Sequence, residues 1–503
     1  MTKYLIAHDL GTSGNKASLF STDGKLLKSY TVPYEVNFYS KHCAEQNPMD
    51  WFDAVCIATR EVTKDIDKEE VLALSFSGQM SSCVIVDEDC TPLYPALIWA
   101  DQRASKQADE LIERVGFERM YELTGHRASA SYSLEKLMWI KEQEPVLYDK
   151  TYKMLLAKDF VIAKLTNQFV TDYSDASGTN ALDLRKRCWS NEILSASGIH
   201  PDKLPTLHES TDVIGPLTKI AAQLLNLTTQ TLVVCGGGDG PCSAVGAGCI
   251  KPLELFLTFG TSAWIGATTK DVFLDKHKIL FCFAHVIPGQ YMPCGTMQAA
   301  GSAYSYIKEA LCQSEIKEAS EHNQSVYELM NAQIENSPAG AKGLLFLPYL
   351  LGERSPRWNT NTFGSFLGIK MHHEKADYLR AVLEGVAMNL ALIFDAYQES
   401  LITSEMIFTG GGAKGDTLTQ ILSDVLQVTL KRPDHVENAT SIAAALIAGI
   451  GVGVFKDFSE ITRFLSVRNY THPDSKKATL YQAKKELFDK AYHCLEPLFE
   501  ETF

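Results

Sequence analysis

Apolar and polar positions alternate along residues 4–7 (YLIA) and 16–22 (KASLFST), with β-branched or aromatic side chains among them, which predicts two strands. Between them lies a glycine turn, and Asp23-Gly24 marks another, so residues 4–36 read as strands joined by hairpins. Strand patterning returns at 71–86 and at 254–293. Helical periodicity appears at 105–113, 133–142 and 375–400, and the mixture predicts α/β layers. The strongly apolar uncharged run 439–455 is broken by Gly449, Gly451 and Gly453 and falls short of the ~20 residues that span a bilayer. It predicts a buried helix. From about Asp457 onward, charged helical patterning predicts an outer layer.

The first turn, in HDLGTSGNKASLF (8–20), sets an acid, two glycines and two hydroxyls between strands. A Walker-type phosphate loop would run into a helix and end in Gly-Lys-Ser/Thr; this turn does neither. Its backbone N–H groups can still point at an anion, with Thr12 and Ser13 beside them. Asp9 would repel a phosphate unless a hard cation lay between them. From this stretch alone, an ordinary glycine hairpin with a solvated aspartate reads equally well.

LFLTFGTSAWIGATT (255–269) repeats the strand–Gly-Thr-Ser–strand design half a chain later. Two related halves, each giving one turn to a shared polyphosphate site, would produce that recurrence. In TLVVCGGGDGPCSAVGAG (231–248) a buried strand meets three glycines, then Asp239, then Pro241 opening a helix of small residues. Asp239 therefore stands at a helix N-terminus, as a cap, as a ligand-facing group, or as both. MIFTGGGAKGDTLTQILSDVL (406–426) again joins strand, glycines and helix, with Asp416 near the helix start. Bare glycine backbone can lie flat against a planar group such as adenine.

These four elements, in this order, resemble the FGGY family of carbohydrate kinases, within the actin-like ATPase superfamily. FSGQM (76–80), LIWADQRA (97–104), DYSDASGTNALDLRKRCWS (172–190) and LPYLLGERSP (347–356) are similar to segments of xylulose kinases. GSFLGI (364–369) with DYLRAVLEG (377–385) resembles the family's C-terminal signature, Tyr378 replacing an aliphatic residue. The resemblance covers about residues 4–450. It implies two actin-like (ribonuclease H-like) α/β domains with a deep cleft, divided here as 1–245, carrying the sugar side and the catalytic Asp, and 246–503, carrying the nucleotide side.

The implied reaction is phosphoryl transfer from ATP to a hydroxyl of a small sugar, polyol or sugar acid. Such a reaction depends on positioning and charge stabilisation more than on covalent chemistry. Gly11, Thr12, Ser13, Gly260 and Thr261 match positions that hold the polyphosphate, and Gly411, Gly412 and Asp416 match positions around the adenosine. Asp9 would orient Mg²⁺, with Asp239 beside it and in the role of general base. The helix N-terminus is expected to keep Asp239 ionised at neutral pH. Gln79, Met80, Trp99, Asp101 and Arg103 match the sugar side: Trp99 to pack on C–H surface, Asp101 and Arg103 to bind hydroxyls. Core packing is the alternative for Trp99. His8 reads as a strand residue without catalytic work, and Lys16 as a solvated strand lysine, with a phosphate contact the alternative.

Two departures concern the sugar. Xylulose kinases continue Gln-Met with His-Gly where this chain has Ser81-Ser82, and follow the catalytic Asp with Asn where it has Gly240. Both absent side chains would contact the sugar, leaving a shorter pocket wall. A reading from another class stays open: actin-like proteins also couple ATP hydrolysis to conformational change with no sugar acceptor.

Composition narrows the partners. A formal charge of −14, with no basic run longer than Arg185-Lys186-Arg187, argues against a nucleic-acid face. At 503 residues, 45% of them apolar, two large globular domains are expected. Twelve scattered cysteines, with no CxxC pair, read as small buried hydrophobes of a reducing compartment. With no signal region ahead of the first strand and no membrane span, a cytoplasmic protein is expected. Its assembly is left open, a homodimer among the options.

Overall fold

The computed structural model describes residues 3–40, 42–398, 401, 403–434 and 438–501. Two seven-stranded sheets carry the architecture. In the first, β1 (Tyr4–Leu10) pairs antiparallel with β2 (Gly14–Ser21), which pairs antiparallel with β3 (Leu26–Pro33). Gly24, at the Asp23-Gly24 turn, takes a φ of +91°, where glycine costs least. On its other side β1 runs parallel to β4 (Val71–Gly78). Beyond β4 lie the antiparallel edge strand β5 (Val213–Pro216) and its partner β6 (Leu232–Val234), which is parallel to β4. A short β7 (Gly237–Gly238) runs beside the end of β4.

The second sheet repeats that plan. β8 (Leu255–Phe259) and β9 (Ala263–Ala267) form the hairpin. Then β10 (Phe281–Ala284) and β11 (Tyr291–Met297) extend the antiparallel side. β12 (Glu405–Thr409) and β13 (Thr429–Pro433) form the parallel side, and β14 (Val467–Thr471) is its antiparallel edge. The order β3-β2-β1-β4-β6-β5 thus has its counterpart in β11-β9-β8-β12-β13-β14. The Gly-Thr-Ser recurrence reflects a duplicated sheet, as the sequence pattern suggested.

Helices cover both sheets. The expected small-residue helix is α1 (Asp239–Ala247), which starts at Asp239, so Pro241 lies two residues inside it. α2 (Gly301–Leu311), α3 (Lys375–Gln398) and α4 (Asp416–Leu426) belong to the second sheet's layers. The last two positions of the 375–400 pattern lie outside the described residues. The uncharged run forms α5 (Ala439–Gly451), buried as expected, and no helix among the described residues is long and apolar enough to cross a membrane. α5 packs not on the second sheet but on β1, β4 and α1. Its Ile442, Leu446 and Ile447 share a core with Leu5, Ala73, Val234 and Val245. A Cβ at Gly246 would collide with the Ala439 backbone, so glycine there permits the α1–α5 approach.

The C-terminal α6 (Ala478–Phe499) forms the expected outer layer, burying Tyr481, Phe488 and Tyr492 beside Tyr349 and Met388. The polar edge strand β14 is an addition to the sequence reading. All twelve cysteines are unpaired, and Cys188 and Cys494 are exposed rather than buried.

Candidate active site

Strand register brings three motifs to one edge. Leu10 of β1 and Gly238 of β7 both pair with Gly78 of β4. The carboxyl ends of these parallel strands therefore set Asp9, Gln79-Met80 and Asp239 side by side, the place where ligands bind in open α/β sheets.

The two glycine turns are built alike. In the first, Gly11 N–H donates to Gly14 O at 3.1 Å; in the second, Gly260 N–H donates to Ser262 O at 2.8 Å. Neighbours take the turn carbonyls. Tyr34 Oη donates to Gly11 O at 2.6 Å and Gln46 Nε2 to Thr12 O at 2.8 Å. The N–H groups of Gly301 and Ser302, opening α2, donate to Gly260 O and Thr261 O. The N–H groups of Thr12, Ser13, Thr261 and Ser262 have no acceptor among the described residues. Such orphan donors fit an anion.

Asp9 Oδ2 accepts from Thr440 Oγ1 of α5 at 2.7 Å. Burial holds the Asp9 carboxyl above its usual range, offset by Thr440 and by Lys16. Lys16 is half-buried and donates to Asn438 Oδ1 at 3.2 Å, so it is not the solvated side chain expected. Burial, then repulsion from Asp9, pushes Asp239 up to about 7. Backbone N–H groups at the start of α1 pull it down but lose to those two effects. The expectation of an Asp239 held ionised by the helix terminus is corrected accordingly. Two carboxylates acting on each other, with no third acidic or imidazole group joining them in a cluster among the described residues, suit a hard cation that keeps waters of its own.

Asp239 opens into a cavity of about 230 Å³ between the two halves. Met80, Ser81 and Trp99 line it from the first half, and Phe281, Phe283 and Trp358 from the second. Trp99 is 42% exposed, so core packing does not describe it, and its Nε1 donates to Thr12 Oγ1 at 2.9 Å. Arg127, Tyr132 and Arg354 line the same space and were not singled out from sequence. Buried Lys136 is another such residue. Its ammonium donates to Ser81 O at 2.8 Å, Ile98 O at 2.7 Å and Ser131 O at 2.6 Å. One cation thereby ties together three segments that wall the cavity, and burial lowers it to about 7.

Several expected sugar contacts lie elsewhere. Gln79 is buried behind the first turn, donating to Gln46 Oε1 at 2.9 Å. Asp101 and Arg103 satisfy each other rather than face the cavity. Arg103 Nη2 reaches Asp101 Oδ2 at 2.8 Å and Glu45 at 2.7 Å, Arg103 Nε donates to Asp101 Oδ1 at 2.9 Å, and Ala44 N–H also donates to Asp101 Oδ2 at 2.8 Å. Gly240 points its absent Cβ at Trp264 and Met292, at 3.4 and 3.6 Å, not into the cavity. Ser81 does line it, with φ of 60° and its hydroxyl donating to Gly178 O at 2.9 Å. Gly411 has open space on its Cβ side, as a planar ligand would need, whereas a Cβ at Gly412 would meet the Phe259 ring. Asp416 is largely exposed and pairs with Arg432 at 2.7 Å. His8 is buried, stacked on Phe76 and hydrogen-bonded to Thr59 at 3.2 Å.

The fold and these turns can be compared with known proteins. Residues 4–246 match the N-terminal domain of the FGGY family of carbohydrate kinases, and residues 255–452 match its C-terminal domain. The chain belongs to this family. As a carbohydrate kinase it is a phosphotransferase. It is 32% identical to a xylulose kinase of Lactococcus lactis over 97% of this chain and 96% of that one. It is 30% identical to a gluconokinase of Bacillus subtilis, over 99% and 97%. Among solved structures, a gluconate kinase from Lactobacillus acidophilus superposes with a TM-score of 0.92 at 27% identity, covering 98% of both chains. The two-domain actin-like architecture of sugar kinases is thereby shared across nearly the whole chain.

Proposed function

We propose that this carbohydrate kinase transfers the γ-phosphoryl group of ATP to a hydroxyl of a small polyhydroxy acceptor bound in the 230 Å³ cavity, with Asp239 as general base. The observation that carries the reading is the position of Asp239: it lines the acceptor cavity and also feels the charge of Asp9 at the end of β1. In this reading residues 1–245 supply the sugar side and the base, and residues 246–503 most of the nucleotide side.

The orphan N–H groups of Thr12, Ser13, Thr261 and Ser262 would hold the polyphosphate from two sides. The open face of Gly411 is available to the adenosine. Asp9 and Asp239 would hold Mg²⁺, which when bound neutralises charge on the phosphates. Asp239 accepts the acceptor's hydroxyl proton as the oxygen attacks, and a carboxylate poised near neutrality suits that transfer better than an ordinary one. Trp99 and the phenylalanines offer apolar faces to C–H surface. The Trp99–Thr12 hydrogen bond couples acceptor wall to phosphate turn.

Ketoses such as xylulose, polyols and sugar acids are the acceptor classes, and the relatives include xylulose kinases and gluconokinases. The short Ser81 side chain removes one wall group and argues against D-xylulose as the preferred acceptor. The test is a coupled assay for ADP with and without acceptor. Acceptor-dependent ADP release is expected, and Asp239→Asn should lower it by about 10²–10⁴-fold, the usual contribution of a positioned base. Acceptor-independent turnover, or a variant keeping a tenth of the wild-type kcat, would overturn the reading.

A further inference from the structure

Buried arginines in this fold are matched with acids. Arg103 meets Asp101 and Glu45, Arg357 meets Asp489, Arg380 meets Glu384, and Arg432 meets Asp416. The two arginines of the acceptor cavity break that rule. Among the described residues, neither Arg127 nor Arg354 has a carboxylate within 4.0 Å.

Arg127 is held rigidly nonetheless. Its guanidinium lies between the Phe117 and Trp358 rings, 4.9 and 4.6 Å from their centres, and Nη2 donates to Lys278 O at 3.0 Å. Its Nε is buried without an acceptor. Arg354 is anchored through its backbone, whose N–H donates to Glu353 Oε1 at 2.8 Å.

Nearby acids are engaged elsewhere. Asp275, whose charge reaches Arg127, accepts from Tyr121 Oη and from the N–H groups of His277, Ile279 and Leu280. Glu353 is buried and engaged by Gln298 N–H and Asn389 Nδ2, with its carboxyl raised by burial. Glu135 is likewise buried, raised, and bound to Asn180 Nδ2 at 2.8 Å. Two arginines therefore face one cavity in which Asp239 is, among the described residues, the only acid of the lining. A charge kept from water without a partner is costly, and the guanidinium fork fits carboxylate and phosphate oxygens.

We propose that Arg127 and Arg354 form an anion-binding subsite, so that the preferred acceptor carries an acidic group, a carboxylate or a phosphate ester, away from the hydroxyl that Asp239 deprotonates. The proposal rests on the kinase reading above. It assigns the arginines to the acceptor rather than to ATP because the aromatic residues around them form the acceptor wall, and the phosphate-facing turns lie outside the cavity lining.

The test is a panel of neutral ketoses and polyols, aldonates and uronates, and sugar monophosphates, each assayed for ADP release with ATP and Mg²⁺. An acidic acceptor should exceed the best neutral one in kcat/KM by at least tenfold, and the aldonate and phosphate arms decide which anion is read. Arg127→Gln should cost about 10- to 100-fold in kcat/KM on that acceptor. The loss should fall in acceptor KM with ATP KM unchanged, and Arg127→Lys should recover part of it. Should the Gln variant fail to fold, Arg354→Lys and calorimetric titration of the wild type with the acidic acceptor read the same subsite. A neutral acceptor leading the panel, or an effect confined to ATP KM, overturns the subsite and leaves the kinase reading intact. ADP release that no acceptor stimulates overturns both.

Discussion

Thr440 Oγ1 donates to Asp9 Oδ2 over 2.7 Å, joining the first turn of α5 to the end of β1 across 431 positions of sequence. The hydroxyl favours the charged form of Asp9 against the cost of burial. Thr440→Val keeps the shape and removes that donor. A hydrogen bond to a charged group is worth about 1.5–3 kcal/mol, so the Mg²⁺ concentration for half-maximal rate should rise about tenfold or more. A Mg²⁺ titration identical to wild type would reduce Thr440 to a packing role.

Asp239 carries a sign that can be tested twice. Its carboxyl lies near 7 in the folded chain against 3.8 ordinarily, raised first by burial and then by Asp9. A base must be deprotonated, so kcat/KM should climb through an acid limb near pH 7, and Asp9→Asn should move that limb to lower pH. For a carboxylate raised by folding, stability is fully present below about pH 4 and is lost as pH rises through about 7. Asp239→Asn should therefore leave Tm unchanged at pH 4 and raise it by several degrees at pH 8, without Mg²⁺. Equal Tm values at pH 8 would contradict the buried, raised carboxylate.

Lys136 offers a separation of positioning from chemistry. Lys136→Met leaves Ser81 O, Ile98 O and Ser131 O without their shared donor, so the cavity wall should loosen. Acceptor KM is expected to rise about tenfold with ATP KM nearly constant. Parallel changes in both constants would indicate general destabilisation instead.

The two departures from xylulose kinases should not behave alike. Ser81→His adds a side chain to the cavity wall and should shift acceptor preference towards xylulose. Gly240→Asn directs its side chain to Trp264 and Met292 and should change preference by less than twofold. Kinetics of the two single variants on D-xylulose and on the best acidic acceptor distinguish them, and a dominant effect of Gly240→Asn would contradict the geometry.

The glycine turns were legible because local pattern makes them: a tight turn between alternating strands must contain such residues, and its recurrence exposed the duplicated sheets. Asp239 was legible as a residue but not as an acid. A helix start can be read from sequence, whereas the burial and the Asp9 neighbour that outweigh it come from packing. Asp101 and Arg103 illustrate a real ambiguity, since an acid and a base two positions apart suit a ligand or one another, and Glu45, which decides between them, lies 58 positions away. Arg127, Lys136 and Thr440 carry no local signature, because each acts through partners that only tertiary contacts supply. β14 leaves little trace in the sequence because it is a short strand with polar positions facing solvent.

The crossing of α5 onto the first sheet also sets a schedule for biosynthesis. The apolar face formed by Leu5, Ala73 and Val234 is complete in the nascent chain once α1 has emerged, yet its cover, α5, follows about 190 residues later. At about 5–20 residues per second, the ribosome leaves that face waiting about 10–40 s. During this interval a chaperone that shields exposed hydrophobic surface has a defined client, and a ribosome stalled before residue 439 would hold a chain with that face of its first sheet unsealed.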